Sequence, residues 1–465
     1  MSESCPLIVA IPMQDDELDE LIQSNEETAE YVHVIFCYER HIDMDPSIVS
    51  EIVIGLKYVT DVKVFNHNHR FPVACLEPFF THGKDRVESI SLSVPHLVGD
   101  RTDFTKAFQA LSRMTELRRF RMSYPGAVYR PPVSDVYDDN LVDALNGIAT
   151  LETVELVELL VSTAANSSLH RLCESRSSKK SNDVSFCLEL VDMQVSNTLI
   201  ESVLGKRSRV TRFSLANVPD MQRTLETMTE QLQNSTKLKS LTLQEFEVQN
   251  ILSVQDGLRL LNVLKNNKVL KELTLELNDD LGNAQYGGSL VDFVQQNRSL
   301  QRLYLKIADD NISQLLRGLA ENRSLRVLGL EIVSVHPRET KHIVRKKHLV
   351  NECLEVALKE NFYLEDISIS VCGHFCELSK EVRFWLKLNT AGRRYLQQNL
   401  QDRERWTAAM LEHKNDLSIL FHLLTLNPTL LAYPLKVPVR KSCERDGESE
   451  TKQTINKRNS RKRKL

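Results

Sequence analysis

Glycine is scarce in this chain, 15 of 465 residues. So few cannot supply the close-approach turns that cradle phosphate groups. No Gly-x-x-x-x-Gly-Lys-Ser/Thr, Gly-x-Gly-x-x-Gly, Gly-x-Ser-x-Gly or His-Glu-x-x-His sequence occurs. The expectation is a protein that is not an enzyme, with no catalytic residue, cofactor or metal. Aromatic residues make up only 6%, and leucine dominates the apolar set. That bias suits a core of many equivalent small contacts. No apolar run reaches the length of about 18 that a membrane-spanning helix needs, so no membrane span is expected. Lys and Arg are absent before Arg40. The early apolar run Cys5–Met13 therefore lacks the basic flank of a secretory signal, and it holds two prolines. The nine cysteines (Cys5, Cys37, Cys75, Cys173, Cys187, Cys353, Cys372, Cys376 and Cys443) are scattered and odd in number. Buried, reduced thiols in a nuclear or cytoplasmic protein, not a secreted one, follow from that pattern.

The net charge of −4 hides a division. Residues 436–465 carry +7, which leaves −11 on the rest. An acidic body with a basic tail points to a tail with a task of its own.

What the chain has is a repeat. QNSTKLKSLTL (233–243), KNNKVLKELTL (265–275), QQNRSLQRLYL (295–305) and ENRSLRVLGL (321–330) align, and ENFYLEDISI (360–369) keeps the pattern with Ile. The first Leu of each falls at 238, 270, 300, 325 and 364. Weaker copies start at Val59, Val87, Leu117, Leu151 and Val210, with a degenerate one near Ser185. The spacing averages about 30 residues, and a first strand is expected at 31–38. In each copy L-x-x-L-x-L ends in period-2 alternation, a short strand with one buried face. A helical stripe follows, as with Ile312, Leu315, Leu316 and Leu319, whose helix Asp310 or Asn311 can cap. No unit can bury its apolar face alone, so neighbours must stack. Strand–helix order implies parallel strands joined by right-handed crossovers. Asn-x-Ser/Thr occurs at Asn166, Asn234, Asn297, Asn311 and Asn322. Asn234, Asn297 and Asn322 sit at one place in the repeat, which explains them better than glycosylation.

This pattern and unit length resemble the ribonuclease-inhibitor-like class of leucine-rich repeats, over roughly residues 30–435 and most clearly over 233–370. FWLKLNTAGRRYLQ (384–397) is similar to a segment of leucine-rich-repeat proteins of single-celled algae. The resemblance implies an α/β leucine-rich-repeat solenoid, a horseshoe with parallel strands on the concave face and helices on the convex face. It also implies protein binding rather than catalysis. Units vary from 25 to 39 residues, and Val, Ile or Phe often replace Leu.

Four regions are expected: an acidic N-terminal lead (1–29), partly disordered; the array (30–370); a C-terminal capping region (371–435); and a disordered basic tail (436–465). Within the array, the Ser-rich stretch 167–183 reads as a surface loop. The Lys/Arg cluster of 335–349 reads as solvent-exposed.

Outward positions between the strand leucines are the candidate partner-binding residues: Arg119, Arg121, Glu155, Arg212, Glu272, Thr274, Arg302, Tyr304 and Asp366. Arg and Tyr are favoured anchors, and mixed charge favours a protein partner over nucleic acid. The tail residues Lys457, Arg458, Arg461, Lys462, Arg463 and Lys464 are a candidate nuclear-targeting cluster. They suit the acidic groove of an import receptor, or a nucleic-acid backbone in an alternative nuclear role. Two further alternatives are a GTPase-activating protein, which would use a placed arginine, and a ubiquitin-ligase adaptor. No F-box-like helix precedes residue 59. Cys372, His374 and Cys376, and separately His67 and His69, are of metal-ligand type. Each lacks the partners that a closed site requires.

Overall fold

A computed structural model describes residues 10–11, 32–38, 59–66, 70–93, 96–123, 135–159, 166–174, 184–191, 195–244, 254–276, 286–308, 311–333, 340–390, 392–393 and 403–427. The chain divides into two compact units, Met1–Tyr395 and Leu396–Leu465.

The first unit is a leucine-rich-repeat solenoid of the α/β class. Fourteen strands form one sheet whose spatial order follows the chain. Every neighbouring pair is parallel from Ala10–Ile11 to Asp366–Val371. Among the described residues from Leu76–His82 to Lys380–Thr390, helices alternate with the strands of the sheet, and each packs against the next. The anchoring positions Val87, Leu117, Leu151, Val210, Leu238, Leu270, Leu300, Leu325 and Leu364 are all buried in one continuous core. Burying a leucine of this kind stabilises by roughly 2 kcal/mol, so each unit gains its stability by stacking on its neighbours. Helix Ile312–Glu321 buries the expected stripe of Ile312, Leu315, Leu316 and Leu319. Its N-cap Asn311 makes no side-chain capping bond.

A buried asparagine ladder joins the later units. Asn297 donates from Nδ2 to Leu264 O (2.7 Å), while its Oδ1 accepts from the amides of Ser299 (2.9 Å) and Leu300 (2.8 Å). Asn267, Asn322 and Asn361 repeat this arrangement. The carboxamide thus ties the end of one unit's helix to the strand entry one repeat further on, satisfying groups that would otherwise be buried unpaired. With Asn297 and Asn322 at 2% and 3% exposure, neither offers an amide for glycosylation in the folded chain. Asn234 differs: it is exposed and lies one residue early, and buried Ser235 takes the ladder position. Upstream, Met114 and Ile148 hold that place, so those units close with apolar contacts.

Three expectations need correction. Residues 167–173 are not loop but part of helix Asn166–Cys173, because Leu169, Leu172 and Cys173 turn into the core. The basic cluster opens a 21-residue helix, Thr340–Glu360. There Arg345 is exposed, but Lys346 and Lys347 are half-buried, and Lys347 Nζ donates to Phe375 O at 2.7 Å. The sheet also does not end on a parallel strand. Cys372 (φ 50°) and Gly373 (φ 75°) form a tight turn that folds His374–Phe375 back antiparallel on Asp366–Val371. Positive φ at both turn residues matches the twist of a two-residue hairpin, and the short return strand covers the sheet edge.

The second unit contains helices Arg403–Glu412 and Leu417–Leu426, with Trp406, Ile419 and Leu423 buried.

Candidate functional site

Side chains alternate across each strand, so one set lines the core and the other stands outward. Parallel pairing then lines the outward set into rows across the sheet. One row runs Arg121, Glu155, Cys187, Arg212, Ser240, Glu272, Arg302, Val327 and Asp366. It brings together six of the nine residues expected from sequence. Arg119 lies outside it, between Ser89 and Thr153 in the row nearer the strand starts. Thr274 and Tyr304 belong to the next row, with Glu189, Ser214, Thr242 and Gly329.

Strand Ser185–Val191 decides this grouping. Its inward residues Phe186, Leu188 and Leu190 are spaced by two throughout, without the extra residue of L-x-x-L. Phe186 therefore pairs with Val154, the second anchor of its unit, on one side and with Val210, the first anchor, on the other. The pairing register shifts between Val210 and Arg212. The upstream rows consequently slide by one alternation, which brings Arg121 rather than Arg119 level with Arg212.

Charges along the row alternate in sign and pair where they are adjacent. Arg121 Nη1 lies 3.4 Å from Glu155 Oε2, and Arg302 Nη1 lies 3.1 Å from Glu272 Oε1. Such exposed pairs contribute at most about 1 kcal/mol each, so they order the surface more than they stabilise it. Arg212 has neutral register neighbours, Cys187 and Ser240. Asp366 stands exposed beside Val327.

At Arg212 the face sinks into a depression of about 480 Å³. The cause is side-chain size. Ser214, Thr242 and Thr274 are short, while Glu189, Arg212, Gln244, Glu276 and Tyr304 rise around them. Sequence reasoning found Arg212, Thr274 and Tyr304 but missed the rest of the lining. Ser240, Thr242 and Glu276 were accessible from the same alternation. Cys187 was not, because cysteine reads as a core residue. It is half-buried on the outward face instead.

Burial, reinforced by the Glu155 carboxylate, pushes the Cys187 thiol up to about 11, against the opposing influence of Arg212. It therefore stays protonated at neutral pH and is a poor nucleophile. Alkylation by iodoacetamide, followed by peptide mass spectrometry, should leave Cys187 largely unmodified at pH 8 and accelerate only as pH approaches 11. Fast labelling at pH 8 would contradict this environment. Burial likewise raises Tyr304, helped by Glu331 and Glu276, and its hydroxyl donates to Glu331 Oε2 at 3.5 Å.

Elsewhere, Cys376 is buried with its sulfur 3.8 Å from Asn351 Nδ2, while His374 is exposed. Among the described residues no three His, Cys, Asp or Glu side chains are grouped to hold a metal ion, and no helix is long and apolar enough to cross a membrane. His67, His69 and the tail cluster Lys457–Lys464 lie outside the described residues.

No family model matches the chain, and no curated protein matches it. Among solved structures, a chain of the Rad7 and Elc1 complex in yeast is similar over 76% of this chain and 83% of its own, at 13% identity and a TM-score of 0.41. A protein from Bacteroides fragilis is similar over 80% of this chain and 75% of its own, at 11% identity and a TM-score of 0.24.

Proposed function

We propose that the chain is a non-catalytic scaffold of ribonuclease-inhibitor-like repeats, with residues 30–370 as the array, that holds a protein partner against the outward face of the sheet. The observation that carries this reading is the row from Arg121 to Asp366, which crosses nine strands. At the usual strand spacing it extends roughly 40 Å, the scale of a protein footprint. Its charged members, three basic and three acidic, sum to zero. A phosphate backbone would call for a net positive surface, whereas a folded partner is matched by alternating signs.

Exchanging Arg302→Glu with Glu272→Arg keeps the internal ion pair but inverts the pattern shown to a partner. Affinity purification with quantitative mass spectrometry should find at least one specific protein reduced roughly tenfold by the exchange, with the melting temperature unchanged. Undiminished recovery of every partner, or turnover of small substrates by the purified chain, would overturn the proposal.

A further inference from the structure

Tyr304 is placed by its neighbours in an unusual way. A side chain at position 329, on the adjacent strand, would collide with the Tyr304 ring, so the ring occupies the space that Gly329 leaves open. Its hydroxyl bonds to Glu331 on that same strand. The ring is therefore leaned across the sheet and held at its tip, and its other side forms a wall of the depression. Glu276 lines the same depression. An aromatic wall beside a carboxylate, over a floor of hydroxyls, is suited to a cation that carries an apolar stem.

We propose that this depression seats a lysine or arginine side chain of the bound protein, its cation against the Tyr304 ring and the Glu276 carboxylate. The inference rests on the outward face being the partner surface and adds the chemistry of one contact. Charge complementarity decides the occupant. Glu189 and Glu276 outnumber Arg212 in the lining, and Glu331 adds a third carboxylate at the ring's tip. Lys306, the register neighbour of Glu331, is the opposing charge close by. The volume of about 480 Å³ accepts a long side chain with part of its backbone.

The test uses the full chain and three fluorescein-labelled dodecapeptides, identical except that four positions are Lys, Gln or Glu. Fluorescence polarisation should show the Lys peptide binding more tightly than the others. Tyr304→Ala and Glu276→Gln should each weaken it about 5-fold. Gly329→Ala should weaken it comparably, by displacing the ring without removing it. Lys306→Ala should tighten it. Circular dichroism melts confirm that each variant folds, as expected for outward positions. Equal binding of all three peptides, or of the Lys peptide to wild type and to Tyr304→Ala, overturns the inference. If the Arg302/Glu272 exchange still reduces partner recovery while the Lys peptide fails to bind, the scaffold reading stands and the cationic occupant falls.

Discussion

Replacing Asn322 with alanine is expected to lower the free energy of unfolding by about 3 kcal/mol. The side chain is 3% exposed. It donates to the carbonyls of Val294 and Asn297, and it accepts from the amides of Ser324 (2.8 Å) and Leu325 (2.7 Å). Asn297 O keeps Ser324 Oγ as a donor, but alanine takes this partner from Val294 O and from the amides of Ser324 and Leu325 where water has little access, and each such loss costs more than the bond itself contributed. Units of a solenoid are held mainly by their neighbours, so the damage should spread along the array. Urea denaturation gives the stability change. Hydrogen exchange should show lost protection first at Ser324 and Leu325. Asn234→Ala is the matched control: exposed and one residue before the ladder, it should change stability by less than about 0.5 kcal/mol. Equal midpoints for the two variants would mean that the ladder is dispensable.

Arg393→Ala should cost about 2 kcal/mol. Arg393 is 5% exposed and donates to Leu358 O (3.1 Å) and Lys359 O (2.9 Å), carbonyls at the end of helix Thr340–Glu360. Its guanidinium carbon lies 4.1 Å from the Phe362 ring centroid and 4.5 Å from that of Trp385. The cation thus faces the negative end of a helix dipole and two aromatic rings. Burial lowers its pKa to about 10, well below the usual arginine value. Folded and unfolded forms are both protonated below pH 10, so the burial cost is present in full at neutrality. It is relieved only above about pH 10, where the unfolded chain binds the extra proton and stability rises with pH. The loss on mutation should therefore be constant from pH 6 to 9. Arg393→Lys should lose an intermediate amount, because one ammonium cannot reproduce the planar fork. A thermal melt of Arg393→Ala matching wild type across that range would show that the two carbonyls need no donor.

The same residue shows why legibility was uneven. In FWLKLNTAGRRYLQ the expectation stopped at a resemblance and at membership of the C-terminal capping region. Nothing local reveals that Arg393 turns back to a helix end more than thirty residues earlier, or that Asn389 donates to Asn361 O and Leu364 O as the last rung of the ladder. By contrast, the ladder's earlier members were visible as a recurring Asn, because each accepts from the backbone amide three residues ahead, at the strand's first Leu. Ser235 escaped notice since its neighbour Asn234 matched by residue type while lying one place away.

Sequence alone determined the repeat, the strand–helix alternation, the parallel sheet and the buried anchors from Val87 to Leu364. Burial of one face imposes a periodicity that each short segment carries by itself. Only the tertiary structure decided which outward residues stand level. That depends on the slipped pairing at Ser185–Val191, where one missing residue changes the register of everything upstream. It alone placed Cys187 outward, opened the depression over Ser214, Thr242 and Thr274, and laid Tyr304 across Gly329. These features arise between strands separated by whole repeats, and the relative heights of side chains on neighbouring strands have no period for a single strand to record.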